Sequence, residues 1–161
     1  MKKKQFRLII ALIMLAFLSI QFVQGLTTIE ADEVKVDLQI TNAYYCDADF
    51  DGEEDDVVLH FETNITFLEN KYLVKFYLEI DLILPSGMQF SYLYEIYTTR
   101  TFLNFTMFFY NHALEPGDYI GIVTLHLSDD GEFISGTEQI IFDPPGKTDD
   151  TDPPATELIV E

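Results

Sequence analysis

The chain has no tryptophan, one cysteine and nine basic residues against 28 acidic ones in a length of 161. Each shortage excludes something. With Cys46 alone, no disulfide can form within the chain. Cys46 is then a small hydrophobe of the interior or a thiol that pairs with another chain. The net charge of −19 repels nucleic acid and anionic lipid and attracts cations, so nucleic acid is excluded as a partner. No HExxH, GxSxG, Walker A or GxGxxG pattern occurs. The three histidines, His60, His112 and His126, lack zinc-ligand spacing. Among so many carboxylates, chance pairs resembling a glycosidase acid and base carry no weight. The chain is therefore expected not to be an enzyme.

Long apolar runs are also scarce. Only one exists, at residues 8–20, after the basic residues Lys2, Lys3, Lys4 and Arg7 and before the polar and small stretch 21–25. This three-part layout is that of a signal peptide covering residues 1–25, with cleavage expected after Gly25. An uncleaved N-terminal anchor is the alternative, and it would be the chain's only contact with a membrane. Either way the remainder is expected to be extracellular or at the cell surface, where Asn64-Ile65-Thr66 and Asn104-Phe105-Thr106 are N-glycosylation sequons.

Helical periodicity is missing as well. After an acidic lead-in at 26–33, the apolar residues recur every second position as far as Phe142. Val34, Val36, Leu38 and Ile40 alternate with Lys35, Asp37, Gln39 and Thr41. Val57, Leu59 and Phe61, then Ile65 and Phe67, form the next inward set. Val74, Phe76, Leu78, Ile80, Leu82 and Leu84 make the longest, in a pattern that suits a half-buried strand and not a helix. Further strands are expected at 90–99, 101–110, 119–128 and 137–142, rich in β-branched and aromatic residues. Pro85-Ser86-Gly87, Glu115-Pro116-Gly117-Asp118 and Asp129-Asp130-Gly131 supply turns between them. The fold expected for residues 34–143 is an all-β antiparallel sandwich of about seven strands. The Pro- and Thr-rich acidic tail at 144–161 is expected to be disordered.

What the chain does contain is a concentration of carboxylates. Residues 47–56 read DADFDGEEDD. Asp47, Asp49 and Asp51 alternate, Gly52 allows a sharp turn, Glu53 offers a backbone carbonyl and Asp55 adds an oxygen. Calcium takes 6–8 oxygen ligands, and these like charges would repel without a cation. An EF-hand would require Glu where Val58 stands, and helices on both flanks. The DxDxDGxxD pattern instead resembles the calcium loops of integrin-α-type FG-GAP repeats, which join two strands. That resemblance implies calcium ligation by Asp47, Asp49, Asp51 and Asp55, with Glu53 through its carbonyl. It covers residues 47–58 only, and its single copy does not imply a propeller.

Glu115-Pro116-Gly117-Asp118-Tyr119 is similar to the tyrosine corner of immunoglobulin-like sandwiches. The resemblance implies an Ig-like architecture, without the Trp and cysteine pair of true immunoglobulin domains. The layout also resembles uncharacterised prokaryotic, archaeal-type secreted sandwich proteins with a DxDxDG loop and an FDPPG end at residues 142–146. No activity follows from that likeness. Phe102, Phe108, Tyr110, Ile120 and Ile122 fall at outward strand positions and point to a protein partner or self-association. The expected role is thus a calcium-stabilised surface module for adhesion or assembly. A carbohydrate-binding module using Tyr92, Tyr94 and Tyr97 is the alternative, and a secreted hydrolase the third reading.

Overall fold

The computed structural model describes residues 26–30, 34–67, 73–129, 132–143 and 153–161. The proposed signal peptide or anchor, the Asp130-Gly131 part of one turn and the Pro-rich first part of the tail lie outside the described residues. So does most of the FDPPG end.

Nine strands are described: β1 (Thr27–Glu30), β2 (Val34–Cys46), β3 (Asp56–Phe67), β4 (Val74–Ile83), β5 (Gln89–Thr98), β6 (Phe102–Tyr110), β7 (Tyr119–Asp129), β8 (Glu132–Phe142) and β9 (Ala155–Val160). They form two antiparallel sheets, ordered β1-β2-β3-β6-β9 and β5-β4-β7-β8. Strands β2 to β8 are the seven expected from the alternation. Lettered A, B, C, C′, E, F and G, they give sheets A-B-E and C′-C-F-G, the immunoglobulin-like order.

The inward rows fill the space between the sheets. On β4, Val74, Phe76, Leu78, Ile80 and Leu82 are buried while the residues between them are half-exposed. Phe61 and Phe105 stack across β3 and β6 with centroids 4.7 Å apart. Full burial of such a side chain contributes roughly 1.5–3 kcal/mol. Thr63 completes the β3 row and is fully buried. Beyond Ile40 the register of β2 shifts by one residue, a bulge at Thr41 that the alternation did not reveal. It reverses the facing of the strand, so Ala43 then packs against the core.

One strand was not expected, and one expectation needs correction. The lead-in contains β1, because Ile29 finds a buried place and the strand pairs with β2. The end of the tail is not disordered: Ala155–Val160 pairs with β6 and occupies the place of an Ig strand D. There it satisfies the backbone edge of β6 and sets Leu158 opposite Met107. Both strands sit at sheet edges, where a few apolar residues suffice.

One side of the sandwich is sealed. β1 and β2 pack against β8, and Gly136 makes the approach possible. A Cβ there would lie 2.4 Å from Thr27 Cγ2 and 2.5 Å from Ile29 Cγ1.

Candidate metal centre

Three connections meet at one end of the sandwich: the β2–β3 loop, the β4–β5 turn and the β6–β7 corner. The register shows this, since Cys46 pairs with Asp56, Val57 with Phe109, and Ile83 with both Gln89 and Ile120.

The corner is built first. The Tyr119 hydroxyl donates to the Glu115 carbonyl at 2.9 Å and accepts from the Glu115 N–H at 2.9 Å. Tyr119 is fully buried, at the start of β7. This is the tyrosine corner the sequence predicted. The Glu115 carboxylate accepts from the Ser86 N–H and hydroxyl, at 2.8 and 2.6 Å, and ties the β4–β5 turn to the corner.

The acidic loop lies beside it. It turns through two left-handed residues, Phe50 (φ 66°) and Gly52 (φ 103°). Gly52 accepts that geometry without strain, as expected; Phe50 does not. Phe50 is 88% exposed at the tip. Two local carboxylate-to-backbone bonds, each spanning two residues, shape the turn: Asp49 Oδ1 accepts from Asp51 N at 3.2 Å, and Asp51 Oδ1 from Glu53 N at 2.8 Å.

Asp56 anchors the loop from beneath. Its Oδ2 accepts from Ala48 N at 2.6 Å and Asp49 N at 3.0 Å, and its Oδ1 from Asn111 N at 2.8 Å. The side chain is fully buried. One carboxylate thus joins the start of the loop to the residue after β6 by charge-assisted bonds. The Asp55 carbonyl adds bonds from His112 N at 3.0 Å and Ala113 N at 2.7 Å.

Carboxylate oxygens of Asp47, Asp49 and Asp56 lie within 4.8 Å of one another. Calcium–oxygen distances of 2.3–2.6 Å place opposed ligands about 4.6–5.2 Å apart, so three oxygens this close can share one ion. Oδ1 of Asp47 is buried and has no hydrogen-bond partner. Desolvation within the loop, then the charges of Asp56, Asp51 and Asp47, push the Asp49 carboxyl above its ordinary value, against the pull of the Asp51 N–H. This cluster could hold a metal ion.

The expected ligand set is therefore divided. Asp47 and Asp49 are in the cluster. Asp51 is exposed and bonds Glu53 N, while Glu53 is exposed and Asp55 is buried beneath the loop. Asp56 takes the third place, and the loop spacing did not single it out. The available signal was its position as the first residue of the next strand, where hairpin closure brings it opposite Cys46. Cys46 is partly exposed; burial first, then Asp56, Asp47 and Glu54, raise its thiol pKa, which disfavours the reactive thiolate.

His112 backs the site. It is fully buried, with Nδ1 donating to the Tyr110 carbonyl at 2.6 Å and Nε2 accepting from the Tyr92 hydroxyl at 2.9 Å. The Phe90 and Phe109 rings meet it edge-on at 4.4 and 5.6 Å. Burial lowers its pKa and holds the ring neutral.

The expected surface aromatics also divide. Tyr92 and Tyr94 point inward and pack against the core, so they are not an exposed platform; Tyr97 is 59% exposed. Phe102 is exposed, while Phe108 and Tyr110 are half-buried and stacked on each other with centroids 5.7 Å apart. Ile120 and Ile122 are half-buried. Both sequon asparagines, Asn64 and Asn104, are exposed on β3 and β6. On the outer face of the four-stranded sheet, Tyr77, Glu79, Leu93 and His126 line an open depression of about 390 Å³.

No family model, curated protein or solved structure matches the chain.

Proposed function

We propose that this protein is a non-enzymatic, secreted or cell-surface calcium-binding sandwich module that serves adhesion or surface assembly. The observation that carries the reading is the convergence of one carboxylate oxygen each from Asp47, Asp49 and Asp56, in a loop where Oδ1 of Asp47 is buried without a hydrogen-bond partner. Calcium is favoured over transition metals because the ligands are all hard oxygens. Water and loop carbonyls would complete a shell of 6–8 oxygens. The ion would neutralise charge that the loop otherwise concentrates and would fix the loop beside the corner. That is a structural role. Sites of this kind in extracellular modules bind at about 10⁻⁴–10⁻³ M.

Titration calorimetry tests it. One calcium per chain is expected, with binding lost in Asp47→Asn with Asp49→Asn and kept in Asp51→Asn. An absence of heat up to about 10 mM calcium, well above that range, with the fold intact, removes the proposal.

A second reading, binding of a neutral saccharide, is favoured by the depression at Tyr77, Glu79, Leu93 and His126. It offers an aromatic ring, a carboxylate and an imidazole on an open sheet face, the mixture that suits a polyol. Glycan-array binding that is lost in Glu79→Ala but insensitive to chelator would support this reading over the first.

A further inference from the structure

Sheet edges are places where another chain can add, and most proteins blunt them. Among the described residues, three of the four edges are blunted. β1 has four residues, and the middle of β8 is crossed by β1, with Thr27 and Ile29 against Gly136 and the Thr27 hydroxyl donating to the Thr137 carbonyl. β9 has six, preceded by Pro153 and Pro154 and carrying exposed Glu157. β5 is different: ten residues long, without Pro, Lys or a register shift, and paired on one side only, with β4. Its one charge, Glu95, is drawn back by Lys75 and the hydroxyls of Tyr77 and Tyr97. Leu93 at its middle is 68% exposed. Its inward residues Phe90, Tyr92, Tyr94 and Ile96 are only half-buried, so the core is open along this side.

We propose that β5 is the dimer interface of this protein, pairing antiparallel with β5 of a second copy to make one continuous eight-stranded sheet. The choice of occupant rests on self-complementarity. Leu84 N donates to the Met88 carbonyl at 2.8 Å, which marks this pair as hydrogen-bonded. Alternation along an antiparallel ladder then assigns Phe90, Tyr92, Tyr94 and Ile96 to bonds with β4. It leaves the N–H and C=O of Gln89, Ser91, Leu93, Glu95 and Tyr97 aimed at the open edge. A two-fold axis through Leu93 sets Leu93 opposite its own copy, Ser91 opposite Glu95 and Gln89 opposite Tyr97. All five open positions then pair, for about ten new hydrogen bonds. On the inner face Tyr92 meets Tyr94 and Phe90 meets Ile96. No like charges stand opposite each other, which the chain's overall acidity makes a demanding condition. A register centred on Tyr94 leaves Gln89 unpaired and sets Leu93 against Glu95.

This contact involves none of the acidic-loop residues, so it goes beyond the calcium reading and is tested with chelator present. Sedimentation of the full chain in EDTA at about 100 μM should show a dimer, as expected of a small interface with micromolar affinity. Leu93→Lys, which sets two ammonium groups together at the axis, and Ser91→Pro, which removes only an edge-facing N–H, should each give a monomer with an intact fold. Leu93→Cys should form a covalent dimer under mild oxidation well beyond the level of Ser91→Cys, which shares the same Cys46 background. A monomeric parent overturns the proposal. So does a dimer that survives both edge variants, or cross-linking no greater at position 93 than at 91.

Discussion

The two connections at the acidic end of the sandwich, the β2–β3 loop and the β6–β7 corner, solve the same problem in different ways. Each must hold an irregular backbone against the sandwich. The corner does so with neutral groups: one buried tyrosine hydroxyl satisfies both the N–H and the carbonyl of Glu115. The loop does so with charge: Asp56 gathers three backbone N–H groups, and Asp47 and Asp49 then crowd against it. The corner is complete without a ligand. The loop is held in place yet retains negative charge that nothing described offsets. Unbalanced charge in an otherwise satisfied turn, more than acidity alone, is what argues for a cation.

The largest expected effect separates holding the loop from binding the ion. Asp56→Ala leaves Ala48, Asp49 and Asn111 N–H groups without their acceptor and should cost about 3–5 kcal/mol, read by urea unfolding. The loss should persist in chelator, because the hydrogen bonds do not need the metal. Tyr119→Phe should cost about 1–3 kcal/mol through the two orphaned Glu115 groups, equally with and without calcium. A calcium-dependent loss there would mean that the two turns are not independent.

Acid sharpens the comparison further. The His112 pKa is lowered in the fold from its ordinary 6.5, so the folded state binds the proton less readily than the unfolded chain. Its contribution is full above that value and is lost as pH falls below it. The Asp49 shift has the opposite sign: the fold takes up its proton more readily, so acid relieves the crowded loop while weakening metal binding. Melting between pH 7 and pH 5 should show falling stability that His112→Gln flattens. The smallest effect expected is that of Asp49→Asn in chelator, a gain of under about 1 kcal/mol from removing one like charge.

Much of the fold was legible because β2 to β8 are two-sided strands whose alternation states which face is buried. Strands β1 and β9 were not, since each pairs along one edge only and has too few apolar residues to set a period. The half-buried row of β5 misled for a related reason: in Phe90-Ser91-Tyr92-Leu93-Tyr94 nearly every residue is apolar or amphipathic, so its facing comes from pairing with Leu78 and Ile80 across β4. In the loop, local spacing located Asp47, Asp49 and the left-handed Gly52. It could not rank Asp51, Asp55 and Asp56, because hairpin closure decides which carboxylate is drawn beneath the loop. The tyrosine corner was legible in full, since its partners lie four residues apart in the chain.

Thermal melting of the parent and of Asp47→Asn with Asp49→Asn, each with calcium and with EDTA, tests the central claim most directly. At calcium about 100-fold above the dissociation constant, binding adds about 2.7 kcal/mol, a rise of about 5–10 °C for the parent and none for the double variant. A parent that melts at the same temperature in calcium and in EDTA would contradict the account.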